Sequence, residues 1–321
     1  MKRSHQIFFL STLVVGISIV YNSYGNSMNL DVVKARNAAA AFPGLKAMVV
    51  GGTSGIGESI AMRLAQAQFD VIIVGRNENR GNAVVQAMQA KNPNGKYTFL
   101  PLDAQYIKNI QGLANKFTQL DRLVLTQGIA TIQGRTETSE GLDQKMALHF
   151  YSRMAFIQEF LPLLRTSQHN PKVLSVLSGG IHSPYAKFQE DPELKENYSL
   201  QNAADAAGFY NDLMLDAFSK DPANQAIAFG HSAPGFVATN WGTEMPWAIR
   251  MLLRPAKLFA KSKEDCGEFM SDFLLQPTPT TGFHPIDQYG EATKTTKSHT
   301  PEAVEFIQQH TTSTIDRILS Q

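Results

Sequence analysis

From residue 47 onward, short apolar runs rich in β-branched side chains alternate with stretches whose apolar residues recur at helical spacing. The runs are AMVV (47–50), VIIVG (71–75), YTFLPL (97–102), LVLT (123–126), KVLSVL (172–177), AIAFGHSAP (226–234) and GFHPI (282–286). Helix-period segments fall near 57–68, 78–90, 106–119, 140–165 and 203–219. A strand that is apolar along its whole length, rather than at every second residue, is buried on both faces. Strands of that kind separated by helices call for a doubly wound α/β fold: about seven mostly parallel strands with helices on both faces. Thr300-Pro301-Glu302 offers an N-cap, a proline at the first helical position and an acid in the first turn, which predicts a C-terminal helix from 301.

No linker, low-complexity block or internal repeat divides the 321 residues, so one domain is expected over 26–321. Residues 245–262, MPWAIRMLLRPAKLFAKS, are apolar, basic and interrupted by proline. An insertion of this kind near 240–270 is expected to cover a substrate, with a membrane-surface role for Trp247, Arg250, Arg254 and Lys257 as the alternative. The 29 basic and 28 acidic residues are dispersed, which argues against nucleic acid as a partner. Cys266 is the only cysteine, so no intramolecular disulfide and no cysteine-built metal site can form, and no metal is expected. Residues 1–25 stand apart: basic MKRSHQ precedes the uncharged IFFLSTLVVGISIVY. As a helix that run reaches roughly 22 Å, short of the ~30 Å hydrocarbon core. It is expected to be a signal peptide or a membrane anchor, directing the chain to the secretory pathway or endoplasmic reticulum membrane and associating it with membrane through the N-terminus. A mitochondrial presequence is the alternative.

The stretch VVGGTSGIGESIA leaves the first predicted strand and runs into a helix, the context in which a glycine triplet signals a Rossmann-like nucleotide site. Gly51 permits the tight turn, Gly55 lets backbone approach a pyrophosphate, and Gly57 opens the helix whose amides attract phosphate. Thr53, Ser54 and Ile56 fill the turn between them. About 20 residues past the glycines stands Arg76, where an acid would favour a free ribose 2′-hydroxyl. A guanidinium there can hold a 2′-phosphate bidentately, so NADP (NADPH) is the expected cofactor.

The spacing G-x-x-x-G-x-G resembles that of the short-chain dehydrogenase/reductase family. The resemblance extends to other pieces between about 45 and 290. By it, Asp103 in PLDA matches the residue that bonds adenine, and Gly128 in LVLTQGIA falls in the stretch after the fourth strand. Pro234, Gly235 and Thr239 in SAPGFVATN match the segment that bonds the nicotinamide carboxamide. The resemblance is nearest to divergent fungal-type reductases sharing GGTSGIG, LHFYSR-like helices, NYSL…ND and PGFVAT, whose members often lack the usual catalytic pair. It also implies a homo-oligomer joined through the fourth and fifth helices.

Catalysis in the family uses Ser, Tyr, a Lys four residues after the Tyr, and an Asn on the fourth helix. Ser178 takes the serine position. None of the nine tyrosines has lysine four residues on. Tyr198 is the nearest candidate, with Asn202 where the lysine would stand and KFQEDPELKEN as an inserted loop; Tyr185 and Tyr210 are rivals. His149 replaces the asparagine and could feed protons or, if protonated, supply the missing charge. A histidine satisfied by backbone is the alternative. Holding a phenolate at pH 7 without a cation costs about 4 kcal/mol, which penalises alcohol oxidation more than carbonyl reduction. The expectation is therefore an NADPH-dependent oxidoreductase reducing a carbonyl of a small hydrophobic metabolite. Its alternative is a catalytically silent dinucleotide-binding sensor or scaffold.

Overall fold

A computed structural model describes residues 29–239, 260–277 and 280–321. The predicted signal or anchor at 1–25, and residues 240–259 of the predicted substrate cover, lie outside the described residues. Among the described residues no helix is long and apolar enough to cross a membrane.

Seven strands form one sheet: β1 (Lys46–Val50), β2 (Asp70–Gly75), β3 (Tyr97–Pro101), β4 (Arg122–Leu125), β5 (Lys172–Val176), β6 (Ala228–Ser232) and β7 (Gly282–Ile286). Their order is β3-β2-β1-β4-β5-β6-β7 and every pairing is parallel. The helices are α1 (Leu30–Ala39), α2 (Gly55–Gln66), α3 (Glu78–Lys91), α4 (Ser152–Thr166), α5 (Leu200–Lys220), α6 (Lys263–Leu275) and α7 (Pro301–Leu319). Side chains alternate across a strand, so β1 sends Met48 and Val50 into one core and Ala47 and Val49 into the other. The first core is closed by α4, α5 and α7, the second by α1, α2, α3 and α6. Cys266 is buried in the second, where desolvation pushes its thiol up to about 12. The strand order reverses between β1 and β4, and the crevice outside the strand ends at that point is where doubly wound folds take ligands.

The structure differs from the sequence reading in three places. The expected helix at 106–119 is two short 3₁₀ turns, Ile107–Asn109 and Leu113–Lys116, separated by Gly112 in the left-handed region at φ 73°. Distant carboxylates take amides of this segment: Glu140 accepts from Ile107 and Lys108, and Glu159 accepts from Gly112 and Ala114, the two whose amides a continuous helix would have used. The segment before α4 does not run as plain α-helix, because Ala147–Tyr151 forms a π-helical turn. Helix α1, absent from the sequence reading, covers the second core through Val33 and ties itself to α6 by Arg36 and Asp272, Nη2 to Oδ2 at 2.6 Å.

Candidate active site

A cleft of about 670 Å³ opens at the ends of β1, β2, β4 and β5. All twelve residues expected at the cofactor line it: Gly51, Thr53, Ser54, Gly55, Ile56 and Gly57 from the glycine turn, Arg76 and Asp103 from the ends of β2 and β3, Gly128 after β4, and Pro234, Gly235 and Thr239 after β6. Local sterics explain the glycines. Gly51 sits at φ 82°, a conformation that disfavours any side chain. A Cβ at Gly57 would lie 2.5 Å from the Gly51 carbonyl oxygen and 2.4 Å from Thr126 Oγ1, so only glycine lets α2 start this close to β1 and β4. Ser54, the N-cap of α2, makes no side-chain capping bond, whereas α1, α3, α5, α6 and α7 are each capped by a side chain. The first turn of α2, Gly55 to Gly57, lines the cleft with its amides free of any capping side chain, and the positive end of the helix dipole lies there.

One end of the cleft is cationic. Arg76, Asn77 and Arg80 line it beyond β2, and both arginines are exposed. Asp103 is fixed by accepting the Gln105 amide at 3.0 Å. Thr239 crosses over the glycine turn, 3.4 Å from where a Cβ on Gly55 would stand. These groups suit a dinucleotide: open amides for the diphosphate, a guanidinium pair for further negative charge, and an anchored carboxylate beside them.

The residues expected to do chemistry are more scattered. His149 lines the cleft from the π-helical turn, but its imidazole is fully committed to being neutral. Burial, with Arg153 and Lys145 nearby, pulls it down to about 3, and Nε2 accepts the Ile129 amide at 3.0 Å. The expectation that a protonated His149 replaces the missing lysine charge is therefore corrected; the residue is a backbone-satisfied histidine in the cleft wall. Asn202, which stands where the lysine would, is engaged locally: its side-chain amide donates to the Asn197 carbonyl at 2.7 Å and its backbone N–H to the Ser199 hydroxyl, closing the first turn of α5.

Ser178, Tyr198 and Asn202 are absent from the cleft lining. The Ser178 hydroxyl lies against α5, only 2.4 Å from where a Cβ on Gly208 would stand, and has no hydrogen-bond partner among the described residues. Tyr198 stands two residues before α5, whose first residue, Leu200, is itself roughly 12 Å along the helix axis from Gly208 at 1.5 Å per residue. Its ring instead receives Lys145, whose Nζ is 5.6 Å from the centroid, and desolvation with Asp143 nearby pushes its phenol up to about 12. Tyr185 is also raised to about 12, chiefly by burial, and Tyr210 donates to the Pro192 carbonyl at 3.3 Å. Neither lines the cleft.

Two features escaped the sequence reading. Arg153, only 1% exposed, lines the cleft from the first turn of α4. Its sole sequence signal is a cation set among apolar residues in FYSRMAFIQEF. The second is a buried network behind Ser178. His231 Nε2 accepts the Ser178 amide at 3.2 Å, so its Nδ1 carries the hydrogen donated to Asp212 at 2.6 Å. His182 Nδ1 donates to the Ser178 carbonyl at 3.0 Å, and its Nε2 lies 3.4 Å from the other Asp212 oxygen. Ligating atoms of His182, Asp212 and His231 lie within 4.8 Å of one another. Both nitrogens of His231 are already engaged, however, and the three side chains act as a clamp on the backbone of Ser178.

A family model described as short chain dehydrogenase matches residues 46–190. An Emericella nidulans protein named an oxidoreductase is 37% identical over 220 residues, 66% of this chain and 65% of that protein, so the match spans just under two thirds of the relative. A Stachybotrys chartarum protein named a short-chain dehydrogenase/reductase is 29% identical over 273 residues, 76% of each chain. In shape, a short-chain dehydrogenase from Shigella flexneri solved with NADP superposes with a TM-score of 0.55 at 20% identity, covering 77% of this chain and 98% of the other. The glycine turn, the seven-strand parallel order and these matches agree: the chain is similar in sequence and fold to the short-chain dehydrogenase/reductase family.

Proposed function

We propose that the protein binds NADPH in the cleft and reduces a carbonyl group of a small hydrophobic molecule. The observation carrying this reading is the convergence of the glycine turn, the uncapped start of α2, Asp103 and Arg76 on one continuous cleft. Arg76 and Arg80, two exposed cations at the end where the adenine ribose would lie, support NADPH over NADH. The Shigella flexneri protein, solved with NADP, has the same fold and lends the same support.

Carbonyl reduction adds a hydride to carbon and a proton to oxygen; the bound reduced nicotinamide supplies the hydride. On the protein side, a hydroxyl must polarise the oxygen and an acid must protonate it. The family resemblance gives these roles to Ser178 and Tyr198, although neither lines the cleft in this structure, and the turnover assay below tests the assignment. The Tyr198 phenol, raised to about 12, holds its proton at neutral pH, so it is available as an acid, though a weaker one than a free phenol, and not as a base, which penalises alcohol oxidation more than carbonyl reduction. NADPH consumption with apolar aldehydes, ketones and quinones tests the reading: turnover lost in Tyr198→Phe supports it, and unchanged turnover removes Tyr198 as proton donor.

A second reading, a dinucleotide-binding protein without turnover, is favoured by one observation: the phenols of Tyr185, Tyr198 and Tyr210 all stand outside the cleft lining. It predicts NADPH binding with no consumption across the same panel. In either reading residues 1–25 are proposed to direct the chain to the secretory pathway or anchor it to membrane, and fractionation of cells expressing the chain with and without that segment tests this.

A further inference from the structure

The lysine absent at Asn202 leaves the site without the cation its chemistry calls for, and neither His149 nor Asn202 supplies one. Arg153 does have a charge in the right place. Its guanidinium is held by neutral acceptors alone: Nη2 donates to the Gln127 carbonyl at 2.7 Å, Nη1 to Ser175 Oγ at 2.8 Å and the Val176 carbonyl at 3.0 Å, and Nε to the Leu148 carbonyl at 3.5 Å. Guanidinium carries five N–H groups. Nε and Nη1 are thus fully engaged, and one Nη2 hydrogen has no acceptor among the described residues.

No carboxylate among the described residues pairs with Arg153. A buried, uncompensated cation costs several kcal/mol. Desolvation accordingly pulls the guanidinium down to about 9, still protonated at neutral pH. The bonds to Gln127 and Val176 place the group between the ends of β4 and β5, while Arg76 immediately follows β2, on the far side of β1. At about 4.8 Å per strand the two cations are separated by roughly 10–15 Å across the sheet. A dinucleotide whose adenine half lies at Arg76 brings its other half toward Arg153.

We propose that Arg153 is the cation of this site, its open Nη2 hydrogen and unpaired charge directed at the nicotinamide half of the dinucleotide, in place of the lysine missing at Asn202. This rests on the cofactor reading above. A purely structural Arg153, tying β4 to β5, would affect both halves of the ligand alike.

Binding to half-ligands separates the two. Wild type, Arg153→Met, Arg153→Lys and Arg76→Ala are titrated with NADPH and with adenosine 2′,5′-bisphosphate, which lacks the nicotinamide half. Arg153→Met is expected to weaken NADPH about ten- to a hundredfold, as for loss of a charged hydrogen bond, while leaving the bisphosphate within about twofold. Arg153→Lys recovers most of the loss, and Arg76→Ala weakens both ligands. Equal losses on both ligands in Arg153→Met, or none on NADPH, overturn the proposal. If Arg153→Met does not fold, the guanidinium N–H signals of arginine-labelled wild type decide: they shift with NADPH and not with the bisphosphate, and no shift with NADPH overturns the proposal. A wild type that binds the bisphosphate and NADPH not at all sinks the cofactor reading instead.

Discussion

Gly57 is the position at which the cleft is most sensitive to a single added carbon. A Cβ there would stand 2.5 Å from the Gly51 carbonyl oxygen and 2.4 Å from Thr126 Oγ1. Comfortable contact lies near 3.5 Å or beyond, so Gly57→Ala pushes the start of α2 away from β1 and β4 by about 1 Å. The threonine hydroxyl can rotate aside; the Gly51 backbone, which forms the turn itself, cannot. Overpacking of this kind costs about 1–3 kcal/mol, a drop in Tm of roughly 2–10 °C for a domain this large. Binding suffers more. The amides at the start of α2 are the donors proposed to hold the diphosphate, and losing two charge-assisted hydrogen bonds at roughly 1.5 kcal/mol or more each weakens NADPH at least about a hundredfold. Gly134→Ala is the control, because a Cβ there meets nothing within 4 Å. NADPH fluorescence titration and thermal unfolding of both variants check the reasoning. Wild-type affinity in Gly57→Ala, or an equal loss in Gly134→Ala, would refute it.

Other consequences can be checked in the same way. Arg76→Ala should weaken NADPH by about tenfold or more and leave NADH nearly unchanged, since only the former carries the 2′-phosphate; equal losses in a paired titration would remove the cofactor preference. His231→Leu leaves the buried Asp212 carboxylate and the Ser178 amide without their partner, so thermal or urea unfolding should show about 3 kcal/mol or more of lost stability, and a loss under 1 kcal/mol would contradict the clamp. Lys172, bonded to the Phe273 and Gln276 carbonyls, is lowered to about 7 by burial first and by the Arg122 guanidinium second, with Asp272 opposing. Between about pH 7 and 10.5 the unfolded chain then holds a proton the folded one has released, so stability rises with pH across that window. Relative to Lys172→Met, wild type should gain at most about 3 kcal/mol from pH 7 to 9.5 in denaturant melts; a difference independent of pH would show that Lys172 keeps its proton.

The sheet was legible because its strands are nearly pure apolar runs, and hydrophobic burial on both faces leaves little choice of architecture. Where charge interrupts a run, sequence says less. Arg122 and Lys172 open β4 and β5 side by side in register, and both are buried because they satisfy the C-terminal carbonyls of α6, a partnership across 100 residues or more that no local pattern announces. The failed helix at 106–119 has the same cause: its apolar spacing is helical, but Glu140 and Glu159 reach in from elsewhere to take its amides. At the site, glycines were readable because each answers a steric demand of the turn. The cation was not, because Asn202 and His149 were judged by their place in a motif, whereas their hydrogen-bond partners decide their charge and direction. Arg153 shows itself only when the ends of β4, β5 and α4 are brought together.

The account's central claim is that the uncapped start of α2 and the arginine-lined end of the cleft hold NADPH. Calorimetric titration of the purified protein with NADPH and NADH tests it most directly. The account predicts one NADPH site per chain, bound at least about tenfold more tightly than NADH. A chain that takes up neither dinucleotide would contradict it.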